Sequence, residues 1–265
     1  MRKSSSERNE SRGSGGGILG IIVLLIIWKI VSLGIGAEII LPSPERTFKV
    51  LLTILSDTGN YLHFLYTVIR GLGGFCLAVF LALVLGIPAG MSDTFRQILN
   101  PLILVLRSTP VISIILLALI WFSSGMVPVF VAFLMIFPIV CTNVIQGILS
   151  MDPNLVEMSK VYELDRRSVL RWLYAPSLAG YLYAGLQTAG GLTWKVVIAA
   201  EVLSRPEYAI GTSLQEARIY LETARVFAWT LGALALSWAF NTLIQKAIPR
   251  FFPGVSGIQK ARTAE

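Results

Sequence analysis

MDPNLVEMSKVYELDRRSVLRWL, residues 151–173, is a polar, charge-bearing stretch set between two long apolar runs, 127–149 and 178–203. Asp152 is placed to cap a helix whose first position is Pro153, where a missing N–H costs nothing. Leu155, Val156, Ser159 and Tyr162 then share one face at helical spacing, with Glu157 and Lys160 off it. Asp165 can cap a second short helix carrying Val169, Leu170, Trp172 and Leu173, which Pro176 ends. The segment therefore reads as two short helices and a turn. Two roles stay open for it: a handle that enters the groove of a soluble partner, or an amphipathic loop on lipid headgroups, helped by Arg166, Arg167 and Arg171.

The rest of the chain says what the segment projects from. Of 265 residues, 55% are hydrophobic and only 14% charged, with a mean hydropathy of +0.72. A spanning helix needs about 20 predominantly apolar residues. Six stretches qualify: 18–36, 64–91, 98–122, 127–149, 178–203 and 226–248. Gly71, Gly73, Gly74, Gly86 and Pro88 punctuate them, as membrane helices tolerate where backbones pack closely. The expected fold class is all-α, a polytopic helical membrane protein with about six transmembrane helices. The transmembrane domain is expected over 18–250, with the helix pair inside 150–177, a disordered tail over 1–17 and a second tail over 251–265. The run at 18–36 is longer than the roughly 7 to 15 residues of a signal core, so it is read as a span. Ser43 and Pro44 start a further helix, with Phe48, Leu51, Leu52 and Leu55 on one face, that lies in the outer interface and either lids the bundle or contacts an external partner.

The net charge of +7 is topological rather than a nucleic-acid footprint. Arg2, Lys3, Arg8, Arg12, Arg96, Lys160, Arg166, Arg167, Arg171, Lys246, Arg250, Lys260 and Arg262 fall on alternate connections from Arg46, Lys49, Arg205, Arg218 and Arg225. Basic residues concentrate on the cytoplasmic side, which places both termini there and the protein in the cell membrane.

Several chemistries are missing. No Gly-x-x-x-x-Gly-Lys-Ser/Thr loop occurs, so this chain does not handle ATP by the P-loop route. His63, the one histidine, has no Cys or paired carboxylate in sequence reach for a metal site or a triad. Cys76 and Cys141 are isolated in apolar runs and read as small buried fillers. Neither an enzyme nor a cofactor is expected.

Within residues 157–176 the chain resembles the cytoplasmic loop of permease subunits of binding-protein-dependent ABC importers. That loop reads Glu-Ala-Ala, three residues, Gly, nine residues, Ile-x-Leu-Pro. Here Glu157-Met158-Ser159 stand for Glu-Ala-Ala, Glu163 for the glycine, Leu173 for the isoleucine and Ala175-Pro176 for Leu-Pro. Leu41-Pro42-Ser43-Pro44, Arg70, Leu85-Gly86-Ile87-Pro88-Ala89-Gly90, Asn100-Pro101-Leu102, Leu106-Arg107-Ser108-Thr109-Pro110, Trp121-Phe122, Phe137-Pro138-Ile139-Val140 and Ala199-Ala200-Glu201 follow in order. They are similar to the nitrate, sulfonate and taurine branch. The resemblance implies the type I importer permease fold, two permease copies forming the pathway, ATPase subunits gripping the helix pair, and an external solute-binding protein. Glycine at position 163 would suit a left-handed turn residue, which costs any other residue about 1–2 kcal/mol. Either that strain is accepted at Glu163 or the turn is built differently.

Lys29, Arg70, Arg107, Lys195 and Glu201 fall in the apolar stretches. Lys29 and Arg70 are near an outer boundary and can reach water along their stems. Arg107, Thr109 and Lys195 are candidates to line a pathway for an anionic solute, with Glu201 gating it or pairing with one of them; the plainer role is ion pairing that fixes helix packing. Lys195 and Glu201 are six residues apart and project from different faces. Competing readings are a vitamin-type heterocycle or pyrimidine precursor as the solute, an ATP-independent channel or carrier, and a membrane scaffold.

Overall fold

The computed structural model describes residues 7–251, and no strand occurs among them. In chain order the helices are α1 (Glu7–Ile35), α2 (Pro44–Ser56), α3 (Tyr61–Met91), α4 (Asp93–Ser108), α5 (Val111–Trp121) and α6 (Val127–Leu149), followed by α7 (Pro153–Val161), α8 (Arg166–Val169), α9 (Ala175–Ser204), α10 (Ile210–Ile219) and α11 (Thr223–Phe251). Five of the six apolar stretches fall on single helices to within a residue, and 98–122 is divided between two. Helix α1 begins at Glu7, so regular structure reaches into the polar stretch 1–17, for which composition alone gives none. Residues 1–6, and the C-terminal tail beyond Phe251, lie outside the described residues.

Residues Thr58–Met91, Val127–Leu149 and Thr223–Ala247 are each long and apolar enough to cross a membrane. The apolar part of α1, Leu19–Ile35, is shorter. Helix α9 has 30 residues, about 45 Å at 1.5 Å per residue, and carries Lys195 and Glu201 along it. The stretch 98–122 departs from the single straight span expected of it. It is two helices, α4 and α5, bent by 100°. Pro110 has no N–H to continue α4, and Thr109 sits in an extended conformation, its hydroxyl donating back to the Val105 carbonyl at 2.7 Å.

Two compact units divide the chain. One comprises Met1–Asn60 with Ser213–Gly232, the other Tyr61–Thr212 with Ala233–Glu265. In the first, α2 is capped by Ser43, which accepts from the Arg46 N–H, and starts at Pro44 as the sequence implies. Trp28 Nε1 and Ser32 Oγ on α1 donate to the carbonyls of Pro42 and Leu41, each at 3.1 Å. Lys29 reaches Glu45 at 2.9 Å, and that ammonium holds the Glu45 carboxyl below the usual carboxylate range.

In the second unit α6 is the central helix, with Val131, Ala132, Ile136, Val140, Cys141 and Val144 fully buried. Its neighbour α3 meets it through residues repeating every four positions: Gly74, Ala78, Ala82, Gly86 and Gly90, all buried. At Gly74 a Cβ would stand 2.7 Å from the Ala132 Cβ, and at Gly90 2.7 Å from that of Ile148. Lipid supplies no hydrophobic drive between helices, so this close contact is what holds the pair. Cys141 is a buried filler as expected, whereas Cys76 faces outward; both are free thiols. Leu65, Ile69, Phe80 and Val84 on α3 and Ile112, Leu116 and Ile120 on α5 are exposed in the chain.

Candidate functional site

The segment between α6 and α9 folds as the helix pair its pattern implies. Asp152 Oδ1 accepts from the Asn154 N–H at 2.9 Å at the start of α7. At its end the Leu164 N–H reaches back to the Ser159 carbonyl at 3.0 Å, across Glu163 at φ 49°. This is the six-to-one bond of a glycine-type helix end. Glu163 therefore occupies the left-handed position that glycine suits, and of the two turn geometries open in the sequence the strained one is adopted. Glu163→Gly is expected to raise stability by about 1 kcal/mol, strain relief less the extra freedom of an unfolded glycine. Thermal unfolding in detergent measures it. Asp165 Oδ2 accepts from the Ser168 N–H at 3.2 Å. The Ser168 hydroxyl, and then its N–H, hold the Asp165 carboxyl below its ordinary value. Helix α8, Arg166–Val169, then runs through a π-helical turn, Leu170–Tyr174, directly into α9, so Pro176 does not end the second helix as expected but sits in the first turn of α9, where its missing N–H costs nothing.

The two sides of α7 differ from the face assigned by spacing. Ser159 is buried, its hydroxyl donating to the Val156 carbonyl at 2.7 Å, and Val156 is half-buried beside it. Leu155, Met158, Val161 and Tyr162 make an outward apolar stripe, with Tyr162 71% exposed and Trp172 beyond it 74% exposed. Glu157, Glu163 and Pro176 are exposed, and Leu173 is half-buried.

The structure does not gather the charged residues of the spans into one cluster. Arg107 is exposed in the last turn of α4, Thr109 lies half-buried at the bend, and Lys195 is exposed on α9. Glu201 is fully buried and pairs with none of them. Its partner is Arg70, whose Nη1 donates to Oε1 at 3.0 Å and whose side chain is 11% exposed, so Arg70 does not reach for water. Thr67 Oγ1 lies 2.9 Å from both Glu201 oxygens, and the Gly211 N–H donates to Oε2 at 3.1 Å.

The same face of α3 holds the segment that follows α9. Thr67 Oγ1 accepts from the Ile210 N–H at 3.0 Å, Arg70 Nη1 donates to the Tyr208 carbonyl at 2.6 Å, and His63 Nδ1 meets the N–H and carbonyl of Ala209 at 3.2 and 3.1 Å. Glu201 and Thr67 thus take the first N–H groups of α10, which its own helix leaves unpaired. Gly211 is required: a Cβ there would lie 2.4 Å from the Glu201 Cβ and 2.6 Å from the Ile198 carbonyl. The spacing His63, Thr67, Arg70 along an apolar helix was the available signal for this face.

The first unit contains a cavity of about 590 Å³ whose lining includes the exposed ion pairs Arg46–Glu38 and Arg225–Glu222, together with Asp57 and Thr53. Among the described residues no three His, Cys, Asp or Glu side chains gather as metal ligands would.

The chain is similar in sequence to known proteins. The taurine transport system permease protein of Escherichia coli (strain K12) is 28% identical over 213 residues, 78% of this chain and 77% of that protein. The bicarbonate transport system permease protein of Synechococcus elongatus is 27% identical over 236 residues, 80% of this chain and 84% of that one. The sequence profile of the binding-protein-dependent transport system inner membrane component matches residues 74–256. That span takes in most of α3, the α7–α8 pair and Glu201; the chain belongs to this family of multi-pass permeases of ABC importers.

Proposed function

We propose that this chain is the permease of an ABC importer for a small anion, driven by a separate ATPase that grips α7 and α8. The observation that carries this reading is the outward stripe of Leu155, Met158, Val161 and Tyr162, on a helix pair continuous with α9. An apolar stripe of this kind suits a helix-in-groove partner or a lipid surface, and membership of the importer permease family is what favours the partner. An anion is supported by the relatives, since taurine and bicarbonate each carry an anionic group. The chain itself is not an enzyme. In this reading two copies of it enclose the pathway, an external solute-binding protein delivers the solute, and both termini face the cytoplasm, as the distribution of basic residues supports. The cavity beside α2 is on the side where that delivery occurs.

Arg107 and Lys195 are exposed in the single chain and free to face a pathway between copies. Arg107→Gln is expected to lower anion uptake by about tenfold, the effect of losing roughly 1.4 kcal/mol of favourable interaction. Uptake into vesicles holding the assembled transporter measures it. Unchanged uptake with intact assembly would leave Arg107 a packing residue and move the anion site elsewhere. Uptake that proceeds without ATP would instead favour a channel or carrier.

A further inference from the structure

The coupling hairpin and the buried carboxylate sit at opposite ends of α9, with α8 joined to its first turn through a π-helical segment. From Arg166 through the π-helical turn to Ser204 the chain has no break, and no proline occurs within α9 after Pro176. At the inner end this helical run carries α8 and the turn at Glu163; at the outer end it carries Glu201. There the Glu201 carboxylate, Thr67 and Arg70 fix Tyr208, Ile210 and Gly211 to α3 and α9 together. Arg205 and Glu207 stand exposed on the segment so held.

We infer that Glu201, Thr67 and Gly211 are positioning residues that make the outer segment 205–211 one rigid body with α3 and α9, so that docking of the external binding protein on this segment is transmitted along α9 to the ATPase. The inference rests on the importer reading. A tilt of α9 imposed at its outer end moves the hairpin at the other because a helix is stiff along its axis and the attachment has no slack: the hydrogen-bonded groups are buried, and no Cβ fits at Gly211. An outer segment tied only to itself would absorb the same push.

Thr67 gives the cleanest test, because valine matches its shape and lacks only the hydroxyl that joins Glu201 to the Ile210 N–H. The assembled transporter in lipid nanodiscs is assayed for ATP hydrolysis with and without the solute-loaded binding protein. Thr67→Val should keep basal hydrolysis and lower the stimulation by about fivefold or more, the low end of ordinary coupling between sites. Thr67→Ser, which restores the hydroxyl, should recover it. If stimulation survives in Thr67→Val, or basal and stimulated rates fall by one common factor, the segment is only structural and the inference is wrong. If no ATPase assembles with the unaltered chain, the importer reading fails instead.

Discussion

Glu201→Ala is expected to lower stability by about 3–5 kcal/mol, the cost of removing one partner from a buried ion pair. The cause is what remains. Arg70, 11% exposed, loses its counter-charge, and the Gly211 N–H is left without an acceptor in the protein interior. Thr67 keeps its bond from Ile210 but loses the carboxylate, so the loop after α9 stays tied to α3 and is released from α9. Glu201→Gln should cost less, because its carbonyl can still accept from Gly211, while its amide turns a donor toward Arg70. Folded yield and thermal unfolding in detergent read both. A Glu201→Ala chain as stable as the parent would show that the clamp does not hold this end of α9.

The second large effect lies at the other end. Glu157→Lys with Met158→Glu reverses one charge and places another in the exposed stripe of α7. Replacing a buried interface anchor costs about 2 kcal/mol or more, roughly 30-fold in affinity, and an unpaired charge adds to it. The ATPase should no longer co-purify, and uptake should fall to background, while the chain itself unfolds at the unaltered temperature. Glu157 and Met158 make no packing contribution that would complicate the result, since both are exposed. Full uptake by this double variant would remove α7 from the coupling path.

How much of this the sequence made legible depended on the range of the interaction. Local signals read well. Asp152, Asp165 and Ser43 cap the helices that their positions implied, and the motif position of Glu163 marked a left-handed turn residue that the backbone adopts. The face of α7 read less well, because Leu155, Met158 and Tyr162 lie on one helical stripe and Val156 and Ser159 on the next. Periodicity finds both, and only packing chooses the one turned inward. The stretch 98–122 is apolar throughout, and hydropathy does not register the bend that Thr109 and Pro110 introduce. Arg70 misled for the opposite reason. A long cation near a span boundary usually reaches water, yet its partner stands 131 residues away in sequence, where no spacing rule extends.

Solute uptake by proteoliposomes containing this chain, its ATPase and the external binding protein, with and without ATP inside, decides whether the chain works as an importer permease. Accumulation is expected only when ATP, both partners and an intact α7 are all present. Equal accumulation in vesicles that hold this chain alone, with no nucleotide, would contradict that role.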